Sequence, residues 1–221
     1  GNEVMEQQNV AMTQHLVDIV KQLDSTRPVT NGYNDPNGGR ASGACQALDI
    51  MGVNYFFGEQ DKWDKDERYK DKPTIGTETS SCISSRGVYF GGDTLRKDFQ
   101  ITSYDLDSPP WGCKPDVQFA TNHQYPHLLG EYVWTGFDYL GEPTPFNSDK
   151  TNLLNFRTDP GKKKELMEQL KKLEESQPPS RSSYFGIVDI AGFPKDRYYL
   201  YQSVWRPDRS EEHTSELQSR Q

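Results

Sequence analysis

The sequence predicts an α/β fold built on a parallel β-sheet, and two observations lead to this prediction. Predicted strands alternate with predicted helices along the chain, which is the pattern of parallel strands joined by crossover helices. The run Leu48–Tyr55 is mostly apolar, as expected for a parallel strand that is buried on both faces. The predicted strands are Val29–Tyr33, Leu48–Tyr55, Pro73–Thr79 and Glu131–Tyr139.

Helices are predicted before, between and after these strands. Apolar residues recur near helical spacing in Val4–Leu23, and the following segment Asp24–Pro28 ends that helix. Pro126 should kink or shorten the helix Asp116–Leu129, because proline has no amide N–H to donate. The remaining predicted helices are the charged surface segment Asp61–Lys72, the amphipathic segment Lys163–Glu175 and the C-terminal segment Tyr198–Trp205.

The number of strands predicts an incomplete barrel. A complete TIM (β/α)8 barrel has eight strands and about 250 residues, whereas only four clear strands occur among these 221 residues. The chain opens abruptly on Gly1-Asn2-Glu3, and a long connection runs from Ser80 to Pro115. We therefore expect a partial TIM barrel over residues 1–208.

Residues 209–221 form a polar tail in which Leu217 is the one large apolar residue. We interpret this tail as the translation of a sequencing adapter fused to the reading frame, so that it is not native. The alternative is a natural, disordered polar tail. Both interpretations exclude the segment from reasoning about the fold.

The composition favours a globular protein with polar, aromatic-lined surfaces. The chain contains 12 Tyr, 10 Phe and 4 Trp, an aromatic content that disordered chains lack. Its formal net charge of -8 repels phosphate backbones, so nucleic acid is not an expected partner. No apolar run approaches the length that spans a membrane. Aromatic rings beside carboxylates suit sugars, and a carbohydrate is therefore the expected partner.

No set of residues in the sequence matches a metal or disulfide site. His123 and His127 share helical spacing, but no glutamate is placed as in zinc proteases, and a polar helix face is the preferred explanation. The segment Asp105–Asp107 is interpreted as a solvated turn, with a cation site as the alternative. The cysteines are odd in number and widely separated, which argues against a disulfide framework; they are Cys45, Cys82 and Cys113.

Two glutamates are candidate catalytic carboxylates. Retaining glycosidases use a pair of carboxylates about 5–5.5 Å apart, one as acid/base and one as nucleophile. Glu78 ends the predicted strand Thr74–Glu78, at the place where parallel barrels carry their active sites. Glu3 would occupy an equivalent place if Gly1-Asn2-Glu3 is the end of a strand. Taken alone, Glu3 is better explained as a carboxylate in the first turn of a helix, where the helix dipole favours negative charge.

A series of motifs, taken in order, resembles the fourth, sixth, seventh and eighth strands of the catalytic barrels of glycoside hydrolase family 2. Two further segments resemble the end of the bacterial β-galactosidase branch of that family, and the resemblance extends from Gly1 to about Pro207. The strand motifs are Gly1-Asn2-Glu3, Asp49–Tyr55, Gly76–Ser81 and Gly130–Pro143, and the further segments are Ser182–Asp189 and Ala191–Asp196. The resemblance implies the C-terminal half of the barrel, from the end of strand 4 to strand 8.

The resemblance also implies a role for each of five residues. Glu3 resembles the acid/base, and Asn2 beside it would bind the sugar 2-hydroxyl. Glu78 resembles the nucleophile that forms the glycosyl-enzyme. Tyr55 matches the tyrosine that holds the carboxylate of the nucleophile, and Trp134 matches the tryptophan that forms the floor of the sugar subsite. Without the resemblance, Tyr55 and Trp134 would be explained as core aromatic residues.

The function implied by the resemblance is that of an exo-acting, retaining β-galactosidase that needs no organic cofactor. A β-glucuronidase or β-mannosidase of the same family is the alternative, although Asn147–Lys150 departs in spacing from the Asn-x-Lys pair that would receive a glucuronate. A non-catalytic carbohydrate-binding relic and an inactive truncated product are further alternatives. The chain alone is expected to be inactive and poorly soluble. The compartment and oligomeric state stay open, with the resemblance favouring a periplasmic or secreted protein.

Overall fold

The computed structural model describes residues 7–55, 65–91, 94–97, 100–125, 127–145, 168, 182–206 and 208, with side chains from Val10 onward. The chain divides into two compact units. The first unit comprises Gly1–Ser81 and Pro110–Trp134, and the second comprises Cys82–Pro109 and Thr135–Gln221.

The described residues form a mixed α/β architecture with short strands and longer helices. The helices are α1 (Gln7–Leu23), α2 (Pro36–Ser42), a 3₁₀ helix (Ala44–Ala47), α3 (Pro115–Gln124) and α4 (Asp196–Trp205). The strands are β1 (Gly32–Tyr33), β2 (Met51–Asn54), β3 (Thr74–Ser80), β4 (Arg96–Lys97), β5 (Gln100–Ile101) and β6 (Leu128–Trp134).

A four-stranded parallel sheet organises the first unit. Its strands lie in the order β1-β2-β3-β6, and each neighbouring pair is parallel. Parallel strands cannot be joined by tight hairpins, and helices or longer segments separate them here along the chain. The predicted α/β class with a parallel sheet is confirmed.

The core of the first unit lies where α1 and the 3₁₀ helix cover the sheet. All four residues of β2 are buried, as the apolar run in the sequence predicts. Burial of its apolar side chains, Met51 and Val53, stabilises the unit by roughly 1.5–3 kcal/mol each. The buried members of the core are Val17, Tyr33, Cys45, Leu48, Met51, Val53 and Tyr69.

The helix α1 is present as predicted, but the apolar face that the sequence indicated is not the face that packs against the core. The apolar residues that predicted it, including Met12, Leu16 and Leu23, are exposed in the described part of the chain, and Val17 is the α1 residue in the core. Helical spacing therefore identified the helix correctly, whereas the buried position depends on where the 3₁₀ helix contacts it.

The prediction of a surface helix at Asp61–Lys72 is wrong for the residues that the structure describes, because residues 65–72 form consecutive turns. The Asp66 carboxylate accepts a hydrogen bond from the backbone N–H of Arg68, 3.1 Å away. An aspartate bonded to the backbone two residues later competes with helix formation. The turns place Tyr69 in the core, and its hydroxyl donates to the carbonyl oxygen of Arg40.

Two other predicted boundaries shift towards the N-terminus. The helix predicted to end at or before Leu129 ends at Gln124, in agreement with the expected effect of a proline at position 126. The strand predicted to start at Glu131 starts at Leu128 and ends at Trp134. The predicted helix Lys163–Glu175 lies outside the described residues apart from Glu168.

The second unit contains a two-stranded antiparallel hairpin, β4 and β5, and the helix α4. Isolated bridges connect its other segments, such as Ile83 with Asp107 and Phe137 with Val188. Among the described residues of this unit, regular secondary structure is therefore sparse.

Arg197 is the centre of a buried polar cluster in the second unit. Its Nε donates to Oδ1 of Asp105 at 2.9 Å, and its Nη2 donates to Oγ of Ser84 at 2.6 Å. Its Nη1 donates to the carbonyl oxygens of Cys82 and Phe185. Because each guanidinium nitrogen has a partner, the charge is buried with its hydrogen bonds satisfied.

Lys195 belongs to the same cluster and is equally buried. Its Nζ lies 2.7 Å from Oδ2 of Asp138 and donates to the carbonyl oxygens of Ser84 and Tyr184. Burial and the neighbouring Arg197 lower the pKa of Lys195 to about 8, although Asp138 acts in the opposite direction. Burial also raises the pKa of Asp138. Both pKa shifts favour the uncharged form of the side chain, which shows that removing this charged pair from water costs free energy.

Among the described glycines of the second unit, Gly186 has the least room for a side chain. A Cβ atom at this position would lie 2.1 Å from the amide nitrogen of Asp138 and 2.4 Å from the carbonyl oxygen of Val188. The amide of Gly186 also donates to the Asp138 carboxylate at 2.7 Å. A side chain therefore cannot be added here without moving the backbone.

We predict that Gly186→Ala destabilises the protein by about 3 kcal/mol or more, because the backbone atoms that the new methyl group meets cannot rotate away. The matched control is Gly136→Ala in the same unit, where an added Cβ meets no atom within 4 Å. The free energy of unfolding from urea denaturation measures both changes. Equal effects of the two substitutions would show that the close approach at Gly186 is not a constraint.

Candidate active site

The carboxyl ends of β2, β3 and β6 lie at the same edge of the sheet, because all three strands run in parallel. Active sites of parallel α/β folds are built at this edge. Three of the predicted site residues are found there: Tyr55 follows β2, Glu78 lies near the end of β3, and Trp134 ends β6.

The structure brings Tyr55 and Glu78 together. The phenol of Tyr55 donates a hydrogen bond of 2.6 Å to Oε2 of Glu78, and the amide of Tyr55 donates one of 2.8 Å to the carbonyl oxygen of Glu78. Hydrogen bonds from a neutral donor to a carboxylate are shorter and stronger than neutral ones. The expected contact is present, and it holds the Glu78 carboxyl group in one orientation.

The backbone is strained on both sides of this contact. Tyr55 has a φ of 58°, and at the end of β3 Ser80 and Ser81 have φ values of 61° and 56°. Non-glycine residues rarely adopt these values, and such conformations tend to cluster at functional sites. At the end of β3, the hydroxyl of Ser80 donates to the carbonyl oxygen of Cys113 at 3.0 Å, and the amide of Cys113 donates to the carbonyl oxygen of Ser80.

A second chain of hydrogen bonds crosses the same edge of the sheet. The hydroxyl of Thr77 donates to Oδ1 of Asn54 at 2.7 Å, and Nδ2 of Asn54 donates to Oδ1 of Asn34 at 2.8 Å. Asn54 is 5% exposed. Sequence reasoning missed all three residues, although a polar Asn54 at the end of an apolar run was an available indication.

Trp134 lies opposite Ser80 in the pairing of β3 with β6 and is half-buried. It is therefore at the edge that carries Glu78, as predicted. On the same strand Glu131 accepts a hydrogen bond of 2.5 Å from the hydroxyl of Thr79. The edge of the sheet thus presents carboxyl, phenol, amide and indole groups, which are the chemical groups that bind sugars.

No family model matches the chain. Beta-galactosidase BoGH2A of Bacteroides ovatus is 37% identical over 218 residues, which cover 93% of this chain and 22% of that protein. The family 2 β-galacturonidase of Eisenbergiella tayi, solved with galacturonate bound, superimposes with a TM-score of 0.60 at 14% identity over 92% of this chain and 31% of that one. The chain belongs to glycoside hydrolase family 2.

A second solved family 2 structure has a similar fold. The β-glucuronidase 2 of Bacteroides uniformis superimposes with a TM-score of 0.54 at 19% identity, over 90% of this chain and 20% of that chain. At such identities the likeness concerns the fold alone. The chain spans about a fifth to a third of the length of these relatives.

Two predicted site residues of this family 2 chain, Asn2 and Glu3, lie outside the described residues. The distance between the carboxyl groups of Glu3 and Glu78 therefore stays a prediction. The described part of the chain contains no cluster of three or more histidine, cysteine, aspartate or glutamate side chains that could hold a metal ion. No helix among the described residues is long and apolar enough to cross a membrane.

Proposed function

We propose that this family 2 chain carries the catalytic glutamates of a retaining β-glycosidase that hydrolyses terminal β-galactosides. The observation that supports the proposal most directly is the hydrogen bond between Tyr55 and Glu78 at the carboxyl edge of a parallel sheet. The β-galactosidase name of the relative that is 37% identical supports the choice of sugar.

In the first step, Glu78 acts as the nucleophile. One oxygen of its carboxylate is held by the phenol of Tyr55, so the other can attack the anomeric carbon. The glycosidic C–O bond breaks while Glu3, as the acid, gives its proton to the departing oxygen. The product of this step is a glycosyl ester of Glu78, with the anomeric configuration inverted.

In the second step, Glu3 acts as the base. Its carboxylate takes a proton from water, and the water oxygen attacks the anomeric carbon of the glycosyl ester. The bond to Glu78 breaks and its carboxylate is regenerated, again accepting the phenol hydrogen bond from Tyr55. Two inversions give net retention.

We assign the remaining contacts to sugar binding. The half-buried indole of Trp134 would stack on the C–H face of the sugar at the end of β6. Asn2 would donate to the 2-hydroxyl, an interaction that strengthens at the transition state. A residue that bound the substrate and the transition state equally tightly would lower KM without raising kcat.

We also propose that the four-stranded sheet is the C-terminal half of a (β/α)8 barrel, with residues 1–208 as one domain and 209–221 as a non-native tail. The parallel order β1-β2-β3-β6 fits strands five to eight of such a barrel. On this proposal the first half of the sugar subsite comes from residues outside this chain, so activity belongs to the full-length protein.

We predict that Glu78→Gln in the full-length protein lowers kcat for an aryl β-galactoside by at least about 10⁴-fold, because the amide cannot form the glycosyl ester. The matched control is Glu67→Gln, whose side chain is 81% exposed in the same unit and should leave kcat unchanged. Release of the aryl alcohol measures both. Substantial turnover by Glu78→Gln would exclude Glu78 as the nucleophile.

We predict a different pattern for Glu3→Ala. Substrates with good leaving groups need little proton donation, so the loss of kcat/KM should be small for them and large for poor leaving groups. Azide should restore turnover of activated substrates and give the β-glycosyl azide, which chromatography detects. Equal losses on both kinds of substrate would contradict the acid/base assignment.

We predict that kcat/KM is at least about 100-fold higher for an aryl β-galactoside than for the matching β-glucuronide. The reason is that Asn147–Lys150, which lies outside the described residues, does not have the spacing that would receive a carboxylate. Parallel kinetics with the two substrates measure the ratio. A preference for the glucuronide would contradict the choice of galactoside and favour β-glucuronidase activity, which is the activity named for the Bacteroides uniformis structure.

A further inference from the structure

The strand β3 contains one extra residue immediately before Glu78. Against β2, the pairing steps from Val53 with Gly76 to Asn54 with Glu78, so that Thr77 has no partner of its own. Against β6, the register also shifts between Gly76 and Thr79. An extra residue in one strand of a pair is a β-bulge, a feature that redirects side chains and occurs often beside active sites.

Side-chain positions show the same interruption independently. In a regular strand, residues two apart share a face. In β3, however, a Cβ atom added to Gly76 would lie 2.5 Å from Cγ2 of Thr79, so residues three apart lie on one face. The two residues after Gly76 bond to consecutive residues at the end of β2, Thr77 to Asn54 and Glu78 to Tyr55.

We propose that Thr77 and Asn54 are positioning residues that hold this bulge and thereby fix the Glu78 carboxylate against Tyr55. The hydroxyl of Thr77 donates to the buried Oδ1 of Asn54 at 2.7 Å. Because Asn54 is held in turn by Asn34, its amide has one orientation, with oxygen towards β3 and nitrogen towards the loop after β1. This inference rests on the proposed role of Glu78.

The packing around the bulge fits the hydrogen bonds. A Cβ atom at Gly32 would lie 3.1 Å from both Oδ1 of Asn54 and Oγ1 of Thr77. The glycine therefore leaves the space in which the two polar groups meet, next to the edge where β1 ends. Without the threonine hydroxyl, the bulged end of β3 loses its side-chain hydrogen bond to β2 next to Glu78, and the Glu78 carboxylate is held less firmly against Tyr55.

The test compares Thr77→Val with Thr77→Ser in the full-length protein. Valine has nearly the shape of threonine but cannot donate to Asn54, whereas serine keeps the hydroxyl. For an aryl β-galactoside we expect Thr77→Val to lower kcat about 100-fold with KM changed less than about threefold, because a misplaced nucleophile reacts slowly while the sugar still binds. Thr77→Ser should keep most of the wild-type kcat, because it retains the hydroxyl.

The matched control is Thr74→Val in the same strand, whose hydroxyl makes only a long contact of 3.5 Å to the carbonyl oxygen of Lys72. It should leave kcat and KM unchanged and alter the melting temperature little, because no strong hydrogen bond is lost. A wild-type kcat for Thr77→Val, equal losses for the valine and serine variants, or a loss confined to KM would each overturn the proposal.

A crystal structure of Thr77→Val gives a readout that does not depend on activity. A separation of the Tyr55 hydroxyl and the Glu78 carboxylate beyond hydrogen-bond distance supports the proposal, and an unchanged contact overturns it. Asn54→Ala is the second variant should Thr77→Val fail to fold, with the same expected separation. If instead Glu78→Gln is fully active while the separation appears, the proposed function fails and the structural role of the bulge stands.

Discussion

The geometry at the edge of the sheet depends on where one residue is inserted into β3. Both neighbours of this strand shift their pairing at the same place. The inserted residue places Glu78 opposite Asn54, one position earlier than the register of the preceding pairs would place it. The contact of Tyr55 with Glu78 is therefore made beside a backbone irregularity, and on our proposal the neighbouring polar residues retain that irregularity.

The same edge combines strained backbone with buried hydrogen bonds. Left-handed φ values at Tyr55, Ser80 and Ser81 each cost about 1–3 kcal/mol, and such strain persists only where the surroundings fix it. Here two of the strained residues are fixed by hydrogen bonds, Tyr55 to Glu78 and Ser80 to Cys113. A family 2 active site that held its carboxylates in this way would sacrifice stability for fixed orientation.

Much of the fold and part of the site could be predicted from the sequence. The buried strand β2 and the end of β3 were identifiable because apolar runs and an acidic strand end are local features. The turns at 65–72 could not be predicted, because the hydrogen bond to the Asp66 carboxylate decides them. The burial of Val17 could not be predicted either, because it depends on where the 3₁₀ helix contacts α1. Thr77 and Asn54 were missed for the same reason: a bulge is a relation between strands, and no single strand contains it.

The buried cluster around Arg197 has a consequence for how the second unit is made during synthesis. Arg197 bonds to Cys82, 115 positions earlier in the chain, and to Asp105, 92 positions earlier. Contacts between such distant residues form slowly, because a long loop must close first. On the ribosome, the segment Cys82–Pro109 leaves the exit tunnel well before its cationic partners exist. Asp105 must therefore stay hydrated until α4 is translated, and this unit can complete its interior only after that point.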